Sequence, residues 1–76
     1  SNIKNKTIME TTFLERLILE EKELGIKIEG LIKAIESDRF VEKVGEYQFE
    51  LLALQHTCML SYRRVLNMRI KDLKTK

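Results

Sequence analysis

Arg63, Arg64, Asn67, Arg69 and Lys71 crowd the last stretch of this 76-residue chain, with Gln55 and Tyr62 just upstream. A guanidinium can grip a phosphate through two parallel hydrogen bonds or stack on a base, and the amides add donors and acceptors that orient a ligand. Three of the five arginines fall between positions 63 and 69. Residues 63–76 hold six Lys or Arg against Asp72 alone, so this end carries nearly all the positive excess of a chain whose net charge is +2. Such a cluster complements the negative end of a helix dipole. It also suits an anion. A net charge of +2 falls short of the broad basic surface that nucleic-acid binding needs.

Groups that could catalyse are scattered. His56 and Cys58 stand two residues apart, a spacing that points side chains on a helix in different directions. Cys58 falls within an apolar helical stripe and is expected to pack there as a small hydrophobe. His56, between Gln55 and Thr57, is expected on the solvated side. The acidic residues of the first half interleave with Arg16, Lys22, Lys27 and Lys33, and Glu23–Lys27 and Glu29–Lys33 have the favourable i,i+4 order of a solvated helix face. The sequence has no glycine-rich phosphate loop, no Ser/His/Asp arrangement and no metal-ligand spacing. The expectation is a protein that binds rather than catalyses, with no metal and no cofactor.

The elements that must carry these residues are helices. Proline is absent, glycine is rare, and Glu, Lys, Leu and Ile dominate. The polar segment 1–11 is read as disordered or tag-derived, and residues 12–76 as the domain. Thr12 and Glu15 form a capping-box pair that predicts a first helix over about 12–36. Leu14, Leu17, Leu24, Ile28, Leu31 and Ile35 make its apolar seam, interrupted by Glu21, while Leu19 and Ile26 fall well outside. Gly25 and Gly30 each cost about 1 kcal/mol relative to alanine inside a helix, which points to close approach of something to that backbone.

Ser37-Asp38-Arg39-Phe40 ends the first helix, and residues 37–45 are predicted as a connection closed by Gly45. A second helix follows over about 46–73. It bears two apolar stripes: Tyr47, Leu51, Leu54, Cys58, Val65 and Met68 in one, and Leu52, Met59, Tyr62, Leu66, Ile70 and Leu73 in the other. One partner helix covers a stripe about 100° wide, so two stripes require two partners. With so short a connection the helices must run antiparallel. The predicted fold is all-α, a two-helix antiparallel hairpin that completes its core by homo-oligomerisation, because a lone core at this size is marginal.

The pattern Phe13-Leu14-Glu15-Arg16, Glu23-Leu24, Lys27-Ile28, Leu31, the Ser37-Asp38-Arg39-Phe40 turn, Leu51-Leu52, Leu54-Gln55, Met59, Tyr62, Val65-Leu66 and Arg69-Ile70 resembles small hairpin proteins of tailed phages, including crAss-like phages. Those proteins are similar in turn to the hairpin family of phage sponges of the anti-CBASS and anti-Thoeris type. Lys22-Glu23-Leu24-Gly25 with Ile28 and Leu31-Ile32, and Leu54-Gln55, Met59, Arg63 and Val65, carry that second likeness.

The resemblance implies a symmetric oligomer, from dimer to hexamer, that holds a cyclic oligonucleotide or cyclic ADP-ribose type of messenger between protomers without altering it. It makes Lys22 a phosphate contact and Arg63 its counterpart on the second helix. Arg64, Arg69, Gln55 and Tyr62 complete the expected ligand-binding set. Where that family has a base-stacking tyrosine upstream of the lysine, this chain has none, and Phe13 is the nearest aromatic residue.

The lone thiol, the lack of a membrane-length apolar run and the lack of a signal segment predict a cytoplasmic protein, in the host cell if phage-encoded. The alternative is a helical module that docks on a host protein through Leu19 and Ile26.

Overall fold

With no proline and few glycines, little in the sequence interrupts a helical hydrogen-bond ladder on either side of residues 36–45. A computed structural model describes the backbone of residues 2–75 and the side chains of residues 12–75. Its order is α1 (Asn2–Ile35), α2 (Phe40–Val44) and α3 (Glu46–Lys74), with no strand among the described residues. The molecule is a rod of 60 × 15 × 14 Å. No helix among the described residues is long and apolar enough to cross a membrane.

The expected helix start at Thr12 falls inside α1, so Thr12 and Glu15 do not cap it. A capping box works only where the preceding residue leaves helical geometry, and residues 2–11 contain neither Gly nor Pro to force that. The expectation for segment 1–11 otherwise lies outside the described side chains.

Ser37 closes the far end of α1. Its backbone N–H donates to the Ala34 carbonyl at 3.1 Å and its Oγ donates to the same oxygen at 2.6 Å. Arg39 then adopts left-handed geometry (φ 62, ψ 19), turning the chain into the five-residue α2, a helix within the segment 37–45 expected as a connection. Gly45 (φ 90, ψ 155) separates α2 from α3 in a region that side chains with a Cβ avoid. The Phe40 ring tilts against Phe49 at 6.4 Å, tying α2 to the first turn of α3.

α1 and α3 lie side by side and antiparallel, since Phe13 meets Arg69 whereas Glu21, further along α1, meets the earlier Arg63. Leu17, Leu24 and Ile28 of α1 pack with Leu66 and Ile70 of α3, flanked by Leu14, Ile32, Met59 and Leu73. Among the described residues Leu66 alone is fully shielded.

The other stripe of α3 stays in solvent. Tyr47, Leu51, Leu54, Val65 and Met68 are exposed, Leu54 to 63% and Met68 to 62%. Cys58, expected to be packed, is exposed with the rest of its stripe, because α1 reaches only the opposite side of α3. Tyr62, placed by spacing in the same stripe as the buried Leu66 and Ile70, is exposed as well.

Candidate functional site

α3 has a heptad seam that polar residues hide in the sequence: Leu52, His56, Met59, Arg63, Leu66, Ile70 and Leu73, at alternating four- and three-residue steps. It faces the seam of α1. Glu21 is the charged member on one side and Arg63 on the other, and the two meet: Arg63 Nε donates to Glu21 Oε1 at 2.6 Å. The side chains are 39% and 19% exposed, so the pair sits at the edge of the core.

Gly25, one turn beyond Glu21, lies beneath the same guanidinium. A Cβ built on Gly25 would fall 2.6 Å from Arg63 Nη2 and 2.7 Å from its Cζ. Gly30, by contrast, faces open space, so close approach explains only the first of these glycines.

Beside this pair runs a shallow groove of about 470 Å³. Leu60, Arg64, Asn67 and Lys71, at steps of four, three and four, line it from one face of α3. Arg63 and Met68 border them, and Glu21 closes the groove from α1. Three cations, an amide, two apolar side chains and one carboxylate thus share one cleft. The arrangement can hold an anion against Arg64 and Lys71, offer apolar surface to a flat ring, and accept a hydrogen bond at the carboxylate.

The groove gathers two of the six residues expected to bind ligand, Arg63 and Arg64. Lys22 is exposed on α1 and takes no part in the lining, being about 100° around the helix from Glu21. Arg69, two residues from Lys71 and so on another side of α3, stacks its guanidinium over the Phe13 ring at 5.8 Å. Phe13 is the aromatic residue expected near the missing stacking position, and in the single chain a cation occupies it. Gln55 donates to Met59 Sδ at 3.9 Å, a weak contact, and Tyr62 points to solvent.

Glu21 and Gly25 are the site residues that sequence reasoning passed over. The signal was a carboxylate interrupting one seam opposite an arginine interrupting the other. His56 is another correction. Being a seam residue, it is half-buried rather than solvated, and its Nε2 is enclosed with no hydrogen-bond partner among the described residues.

No curated protein and no solved structure matches the chain. A family model does: the Sequestin model matches residues 11–72, which cover the α1 seam, the turn, the α3 seam as far as Ile70 and the whole groove. This helical chain, with its paired seam polar residues and basic groove, is a member of the Sequestin family.

Proposed function

We propose that the protein is a non-enzymatic sponge that sequesters a bacterial immune signalling nucleotide, of the cyclic oligonucleotide or cyclic ADP-ribose type, between protomers of a homo-oligomer. The family's name denotes sequestration, which is binding without turnover. The observation that carries the reading is the convergence of Arg63, Arg64, Asn67 and Lys71 on one groove that also offers Leu60 and Met68. Phosphates need the former and a purine or ribose ring the latter.

In a symmetric assembly each cation is repeated by its copy, so a chain of net charge +2 builds a far more positive shared pocket. The groove of one chain is shallow and open. A second copy laid on the exposed stripe of α3 would bring the facing wall, and could bring Lys22 or Arg69 to it. The work is mass action in the host cytoplasm: bound messenger is withdrawn from its effector. The narrower kinship with hairpins of crAss-like phages belongs to this same reading.

Thermal-shift and calorimetric titration against cyclic di-AMP, cyclic tri-adenylate and cyclic ADP-ribose isomers tests it. Saturable binding of one of them, with the nucleotide recovered intact, is the expected result. Silence toward all of them ends the reading.

A second reading is favoured by Leu19 and Ile26, exposed to 54% and 61% on the outer face of α1. They fit a helical module that inhibits a host protein. Glu substitutions at both that leave the assembly and nucleotide binding intact would free this face for such a partner. Substitutions that break the assembly would assign it to copies of the chain.

A further inference from the structure

We propose that Gly25 is a positioning residue of the groove, its absent side chain being the seat that holds the Arg63 guanidinium at a fixed place and angle. This rests on the nucleotide reading above. Glycine in mid-helix is unfavourable relative to alanine, so its presence needs a reason, and close helix packing is the usual one. Here that reason fails. The nearest atoms a Cβ on Gly25 would meet are Nη2, Cζ and Nη1 of Arg63, at 2.6, 2.7 and 3.1 Å, and none belongs to the backbone of α3. The flexible end of an arginine could swing aside at small cost. Alanine would therefore leave the helix pair intact and displace one guanidinium only.

What that placement achieves follows from the hydrogen bonds. Glu21 takes Nε at 2.6 Å and so sets the plane of the group. Nη1 and Nη2 carry no hydrogen bond among the described residues and form the fork that grips a phosphate through two parallel bonds. A fork anchored at Nε and seated on Gly25 has lost its rotamer freedom before ligand arrives, which is the entropy cost that preorganisation removes from binding. Arg64 and Lys71, exposed and without such a seat, supply charge with less direction.

The test compares Gly25→Ala with Gly30→Ala, which makes the same change in the same helix where a Cβ meets nothing within 4 Å. Wild type and both variants are titrated calorimetrically with cyclic ADP-ribose and with cyclic di-AMP, alongside thermal melts. Both variants should melt at or above the wild-type temperature. Gly30→Ala should keep wild-type affinity, and Gly25→Ala should bind about ten- to a hundredfold more weakly, the loss of one charge-assisted contact. Arg63→Ala should show the same loss, and adding Gly25→Ala to it should cost nothing further. Equal affinity of the two glycine variants, or a Gly25→Ala chain that fails to fold, overturns the inference while the nucleotide reading stands. Wild-type silence toward both of these nucleotides and toward cyclic tri-adenylate and the other cyclic ADP-ribose isomers removes the reading and the inference together.

Discussion

Arg63 and Glu21 are each the charged residue of their own helix's seam, and they face one another across the helix pair with Nε 2.6 Å from Oε1. Apolar seams of Leu and Ile can slide by a heptad at modest cost. A lone carboxylate and a lone guanidinium at matching heights penalise every other register, because a slip would set both against apolar neighbours without a partner. The same pair fixes one wall of the groove, so alignment of the helices and preparation of the site are a single arrangement.

Glu21→Gln and Arg63→Met should each destabilise the fold by about 1 kcal/mol, near the upper end for exposed pairs because this one is half-buried. The charge swap Glu21→Arg with Arg63→Glu should recover part of that loss and keep the register. Urea melts of the singles and the swap measure it. Additive losses in the swap would show that the charges do not couple.

How far the sequence was legible turns on these same positions. The seam of α1 could be read directly, since Glu21 alone breaks it. The seam of α3 could not: His56 and Arg63, seven residues apart, both break it, and period alone then groups Tyr62 with Leu66 and Ile70, although Tyr62 is exposed. Of the expected ligand set, Arg63 and Arg64 reach the groove because they lie on adjoining faces of one helix. Lys22 was placed by likeness to a family and not by facing, and in one chain it points elsewhere. The α2 turn was hidden because Phe40–Val44 is too short for any period to register.

The joint between α2 and α3 gives a pair of opposite effects. Gly45→Ala puts a Cβ on φ 90, ψ 155 and should destabilise by about 1–3 kcal/mol. Arg39→Gly relieves left-handed strain of roughly 1–2 kcal/mol and gives up only the exposed contact to Glu42 at 3.6 Å, worth under about 1 kcal/mol. After the entropy cost of glycine, the net gain should be a few tenths to about 1 kcal/mol. Thermal melts should move in opposite directions for the two variants, and a fall for Arg39→Gly would contradict the strain argument.

His56 carries an enclosed Nε2 with no partner among the described residues, in a seam whose other members, Arg63 apart, are Leu, Met and Ile. An unsatisfied buried nitrogen costs about 1–3 kcal/mol. His56→Leu should therefore raise stability by about 1 kcal/mol, which for a domain this small is about 4–8 °C in Tm. An unchanged or lowered Tm would mean that Nε2 is satisfied in solution, by water or by another copy.

The exposed stripe of α3 separates a hairpin that stands alone from one that needs its copies. In a monomer Leu54→Lys changes an exposed side chain and should move stability by no more than about 0.5 kcal/mol. In an assembly packed on that stripe the wild-type Tm depends on protein concentration, and the substitution, which places a cation in an apolar contact, should dissociate the copies so that Tm falls and loses that dependence. Leu66→Ala, at the fully buried position, costs about 2–5 kcal/mol in either case and serves as the reference for loss of fold. Cys58 reports the outcome directly, since its thiol is open in the single chain and lies in the middle of the stripe. At micromolar concentration a maleimide should label wild-type Cys58 slowly and Leu54→Lys rapidly, with sedimentation showing an oligomer and a smaller species respectively. Rapid labelling of a wild-type monomer would mean that the stripe stays bare, and a groove shared between copies would have no structural basis.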